Sequence, residues 1–135
     1  LKKDRDYTVS YSANKGIGTA KVTVTGKESY TGKITKTFKI NPQGQSISAK
    51  GDKSGKKIAV TLAKHSSNSG YQVSYADNSG FKNSKSLWLS GNSKNKGTIK
   101  GLKSKKTYYV KARDYKTIGK TKVYGKWSAV KKVSI

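Results

Sequence analysis

The sequence predicts an all-β chain, and three observations carry the prediction. Apolar residues alternate with polar ones in short runs, glycine and asparagine punctuate those runs, and no stretch keeps the 3.6-residue period of an amphipathic helix. The 135 residues are 32% hydrophobic with a net charge of +24. Those figures fit small sandwiches, in which only alternate strand residues face inward, and they also fit a disordered chain. Nine tyrosines and two tryptophans argue for the folded alternative.

Three strands open the chain. "DYTVSYS" sets Tyr7, Val9 and Tyr11 on one face, and "GTAKVTVTG" does the same for Ala20, Val22 and Val24. "KITKTFKI" offers Ile34, Phe38 and Ile40 with one irregularity between them. The connections "ANKGIG" and "GKESYTGK" hold the residues that tight turns need. At "INPQGQS" the only proline, Pro42, stands beside Gly44. Proline cannot donate to a sheet ladder and glycine is conformationally free, so a domain boundary is expected near residue 43. Beyond it come "SISA", "KKIAVTLAK", "GYQVSYA", "KSLWLSG", "GTIKGL", "KTYYVKARDYKTI" and "GKWSAVKKVSI". Seven short runs are the number a seven-stranded sandwich requires.

Charge narrows the partner to a class. Thirty basic residues face six acidic ones, and only Arg5 and Arg113 are arginine. Base-reading and bidentate phosphate sites rely on the planar fork of arginine, so no specific nucleic acid is expected. A lysine surface attracts polyanions through its field instead. Cysteine is absent, which leaves the compartment open. No apolar run reaches the length of a membrane span, and "KKDRD" follows Leu1 where a signal peptide would have its apolar region.

Catalytic constellations are missing. The lone histidine, His65, sits in the turn-rich "KHSSNSG", where a triad centred on it is not expected, and no thiol is present to act as nucleophile or metal ligand. Asp4 and Asp6 among lysines read as charge-paired surface groups rather than a general acid and base. "GIGTAKV" has Lys21 where a dinucleotide fingerprint needs its third glycine, and "GKESYTGKI" has one residue too many for a phosphate loop. Both read as hairpin turns, so no catalytic residue, metal or cofactor is expected.

With "GYQVSY" as third strand, "GLKSKKTYYVKA" leading into the sixth and "YGKWS" before the last, the second half resembles a fibronectin type III domain of the lysine-rich kind found on Firmicute surface proteins. The resemblance implies structural roles for Leu102 and for Tyr108, whose hydroxyl would tie down a corner while its ring is buried. Two departures stand out: Leu62 replaces a common tryptophan, and Asp114 a usual alanine. Residues 1–42 resemble the end of a bacterial immunoglobulin-like repeat. Roughly forty residues are too few to close a sandwich, so opening strands are expected ahead of Leu1. The implied fold is immunoglobulin-like and fibronectin type III β-sandwiches in tandem, the first incomplete, with residues 43–135 forming the second.

Strand alternation then divides "KTYYVKARDYK". Tyr108, Val110 and Ala112 point inward, while Tyr109, Lys111, Arg113 and Tyr115 point outward. In "KSLWLSG" the same rule sends Leu87 and Leu89 inward and Trp88 outward. In a type III sandwich these strands share a sheet with "GYQVSY", so Trp88, Gln72, Ser74, Tyr109, Lys111 and Arg113 occupy one outer face, the candidate ligand surface. Rings stack on sugars while cations hold an anionic group. The alternative is that Trp88 covers the sheet edge or a neighbouring domain and lysine stems lie across the rings. Lysines such as Lys56, Lys57, Lys103, Lys105, Lys106, Lys131 and Lys132, spread over nearly every strand and turn, read as a solubility coat.

Together these readings predict a non-catalytic module of a secreted or cell-wall-associated protein. It would act as spacer and adhesion or anchoring domain toward anionic wall polymers or glycans, beside neighbouring domains of a larger chain. The alternative is an accessory domain of a secreted glycan or peptidoglycan hydrolase whose catalytic part lies upstream.

Overall fold

The computed structural model describes residues 1–135. It contains eleven strands and no helix, so no helix is long and apolar enough to cross a membrane. The chain divides into two units, Leu1–Asn41 and Pro42–Ile135.

The first unit is one antiparallel sheet of β1 (Tyr7–Ser12), β2 (Gly18–Gly26) and β3 (Lys33–Ile40), in that order. Its register aligns Val9 with Val24 and Ile34, and Ala20 with Phe38, so the apolar phases of all three strands coincide. The irregularity in β3 is Lys36, which falls opposite Val22. The other phase is hydroxyl-rich, and Thr23 and Thr35 meet across strands at 3.2 Å. The unit has no second layer of its own, and Ile34 remains 63% exposed and Phe38 43%.

The second unit has two layers. One is β4 (Ile47–Asp52), β5 (Lys57–Leu62) and β8 (Lys96–Ile99); the other runs β10 (Thr121–Tyr124), β9 (Thr107–Ile118), β6 (Gly70–Ala76), β7 (Lys85–Ser90), with β11 (Lys131–Ser134) also on β9. The inward phases meet in one core: Ile47, Ile58, Val60, Leu62 and Ile99 against Tyr71, Val73, Tyr108, Val110, Ala112 and Val133. Each valine, leucine or isoleucine fully buried there contributes roughly 1.5–3 kcal/mol. Leu87 and Leu89 reach this core because β8 carries Gly97, where a Cβ would come within 3.0 and 2.9 Å of their respective side chains. The ring of Tyr108 is buried, and its hydroxyl accepts the Lys103 backbone N–H at 2.9 Å.

One element departs from the sequence reading. The expected last strand, "GKWSAVKKVSI", is not continuous: β10 precedes it, residues 125–130 leave the ladder, and pairing resumes only at β11. The break has its cause in a partner distant in sequence. Ser128 is buried at Ala112, where its N–H donates to the Ala112 carbonyl at 2.7 Å and its hydroxyl accepts the Ala112 N–H at 2.9 Å.

Candidate functional site

The outward phase of β9 sets Lys111 and Arg113 two residues apart on one face. Because Ser128 is pinned at Ala112, the preceding Trp127 is delivered between those two cations. Lys111 Nζ lies 4.2 Å from the Phe81 ring centroid and 4.8 Å from that of Trp127. The Arg113 guanidinium carbon lies 4.3 Å from the centroid of Trp127 and 3.6 Å from that of Tyr124. The result is an alternating stack: Phe81, Lys111, Trp127, Arg113, Tyr124. Each cation–π contact contributes about 0.5–2 kcal/mol, more where water is excluded. Burial pushes the Arg113 pKa down while Tyr124 opposes the shift, and the guanidinium stays charged.

Gln72 completes the row beside Arg113. Its carbonyl oxygen accepts Arg113 Nε–H at 2.8 Å, and its amide donates to Ser86 Oγ at 3.0 Å. Across β6 stands Trp88, opposite Gln72 in register and 45% exposed, with its ring edge-on to Tyr115 at 5.4 Å. Lys122 Nζ sits 5.8 Å from the Trp88 centroid. Tyr109 shares the face, opposite Ala76 and Lys132, and Ser74 lies buried in its floor.

Of the residues expected on this face, Gln72, Trp88, Lys111 and Arg113 are brought together, with Tyr109 alongside. Tyr115 also lies in the outward phase, yet it is only 6% exposed. A Cβ at Gly70 would strike the Tyr115 hydroxyl, so the ring lies directly over bare β6 backbone, with Trp88 against it. Sequence reasoning missed Phe81, Tyr124 and Trp127 as members. The available signal was the "YGKWS" segment, whose two rings, Tyr124 and Trp127, lie on either side of Arg113.

A second cluster was also missed. Asp114 is fully buried, and its two carboxylate oxygens accept Gln45 Nε2–H at 2.6 Å and His65 Nδ1–H at 2.6 Å. Gln45 further accepts the backbone N–H of Ala63 and of Ser46, both at 2.8 Å, tying the start of β4 to the loop after β5. His65 therefore has a carboxylate partner, which its loop sequence did not suggest. The signal was an aspartate in the inward phase of an apolar strand, since a buried charge demands partners. The geometry is that of a clasp: no hydroxyl or thiol nucleophile bonds the ring.

Asp6 likewise departs from the surface reading. It is buried and accepts Arg5 Nε–H and the Lys2 backbone N–H, each at 2.7 Å, and these bonds hold its pKa below the usual carboxylate range.

No protein-family model and no curated protein matches the chain. Among solved structures it is similar to the chicken CNTN1 FN1–FN3 domains, with a TM-score of 0.59 and 18% identity. The match covers 89% of this chain and 43% of that one, so this chain spans less than half the length of its neighbour. The likeness bears on fold and agrees with the sandwich class expected from the sequence.

Proposed function

We propose that the chain is a non-catalytic module of a secreted or cell-wall-associated bacterial protein, serving as spacer and as electrostatic anchor to anionic wall polymers or glycans. The observation that carries this reading is unspent charge. Of thirty basic side chains, only Arg5, Lys57 and Lys106 reach a carboxylate. The remaining field attracts polyanions at long range and weakens with salt. In the same reading the open apolar face of β1–β3 belongs to an immunoglobulin-like sandwich, covered by a second sheet from the parent chain.

The test is binding to purified cell walls with and without their anionic polymer, across a salt titration. Binding that falls with salt and with removal of the polymer supports the anchor. Retention on stripped walls, or salt-independent binding, overturns it. A second reading, an accessory domain of a secreted glycan or peptidoglycan hydrolase, is favoured by Trp88, an exposed ring beside the cationic row. Loss of binding in Trp88→Ala at unchanged salt dependence would support it.

A further inference from the structure

The two faces of the second unit hold their positive charge differently. On the β6–β9 side, Lys111, Arg113 and Lys122 are each set against aromatic rings. The outward phase of the opposite sheet has no ring at all. Its cross-strand rows are Ser48, Thr61, Lys96; then Lys50, Ala59, Thr98; then Asp52 and Lys57, with Lys100 following Ile99 at the end of β8. Small side chains floor the centre and lysines rim it, Lys53 joining from the turn after β4. Lys50, Lys53, Lys57 and Lys100 surround a trough of about 800 Å³. The only carboxylate there, Asp52, is already held by the Gly55 N–H at 2.9 Å, Ser54 Oγ at 2.8 Å and Lys57 at 3.4 Å.

We propose that this trough is the seat of the polyanion, and that its ligand is a ring-free linear phosphodiester polymer of the polyol-phosphate kind. The inference rests on the anchoring function proposed above and assigns it to one sheet. Strands lie about 4.8 Å apart and same-face residues about 6.8 Å apart, so the ammonium groups of Lys50, Lys53 and Lys100, which unlike Lys57 reach no carboxylate, fall within one Debye length and repel until a further anion lies among them. Lysine contributes a point charge without geometric demand, which suits a flexible chain of phosphates. Sugars and bases seek a stacking ring, and every ring in this unit's cationic stack is on the other sheet.

The experiment titrates the full chain with poly(glycerol phosphate) over a range of salt, beside Lys50→Gln/Lys100→Gln and a control, Lys131→Gln/Lys132→Gln, on β11. Melting curves first establish that all three fold. The trough pair is expected to weaken binding at least tenfold and to flatten the slope of log K against log salt by about 1.4, at about 0.7 per lost contact. The control pair should change affinity less than threefold. Equal losses in both pairs would overturn the trough while leaving a diffuse anchor intact, and absence of binding by the parent chain at low salt would overturn both. Tighter binding of a sulfated glycan or single-stranded DNA, removed by Trp88→Ala, would transfer the site to the aromatic face and overturn the assignment.

Discussion

Both units obey the same alternation rule, yet only one converts it into a core. In the first, the register brings Val9, Val24 and Ile34 into line on one face, and Ile34 is still mostly in water. In the second, Ile58 occupies an equivalent inward phase and is fully buried, because a second sheet stands opposite. Alternation defines a face, and burial requires a second layer to meet it.

The sharpest way to break that comparison is to separate the units. Residues 42–135 alone should unfold cooperatively on heating, followed by tryptophan fluorescence. Residues 1–41 alone should show no cooperative transition, since a chain near 40 residues without disulfide or metal buries too little surface. A cooperative melt of the smaller piece would refute the single-layer reading.

Next in size is the clasp. His65→Ala leaves the Asp114 carboxylate buried with Gln45 alone, and should destabilise the second unit by about 3–5 kcal/mol in denaturant titration. A loss below about 1 kcal/mol would mean that the ring contributes little. A matched pair then tests the units directly. Ile58→Ala should cost about 2–5 kcal/mol, whereas Ile34→Ala, exposed in the first unit, should stay within about 0.5 kcal/mol. Similar losses would show that both faces are equally buried in solution.

The smallest effect is a pH dependence. Asp52 has its pKa lowered to about 2 by the Gly55 N–H and the Ser54 hydroxyl, with Lys57 adding to them. A carboxyl whose folded pKa lies below its unfolded value stabilises the fold above about pH 4, and loses that contribution as pH falls toward 2. Carboxyl NMR titration should find the midpoint near 2, and Asp52→Asn should flatten this part of the stability profile. A midpoint near 4 would mean that the turn does not hold the carboxylate in solution.

Much of the second unit was legible. The inward residues of β5, β6 and β9 follow from period-2 alternation, because side chains on a strand have no third option. The outward row of Gln72, Trp88, Lys111 and Arg113 follows from the same rule once the strands are assigned to one sheet. Neither the interleaving of Trp127 between the cations nor the break in the last strand was legible, since both depend on Ser128 bonding a backbone 16 residues away. Lysines spread evenly along the chain resolve in space into ring-capped and open sets for a similar reason. Which face a residue shares is set by partners distant in sequence.

By itself, the sequence determined the all-β class and which phase of each strand is apolar. These are local properties, fixed by turn chemistry and by the geometry of one strand. Only the tertiary structure decided that Asp114 meets His65 and Gln45, that Tyr115 faces outward and is nevertheless covered, and that one apolar face finds a partner layer within its unit while the other does not. Each of those depends on which strands become neighbours, and that is settled by the collective packing of the sheets.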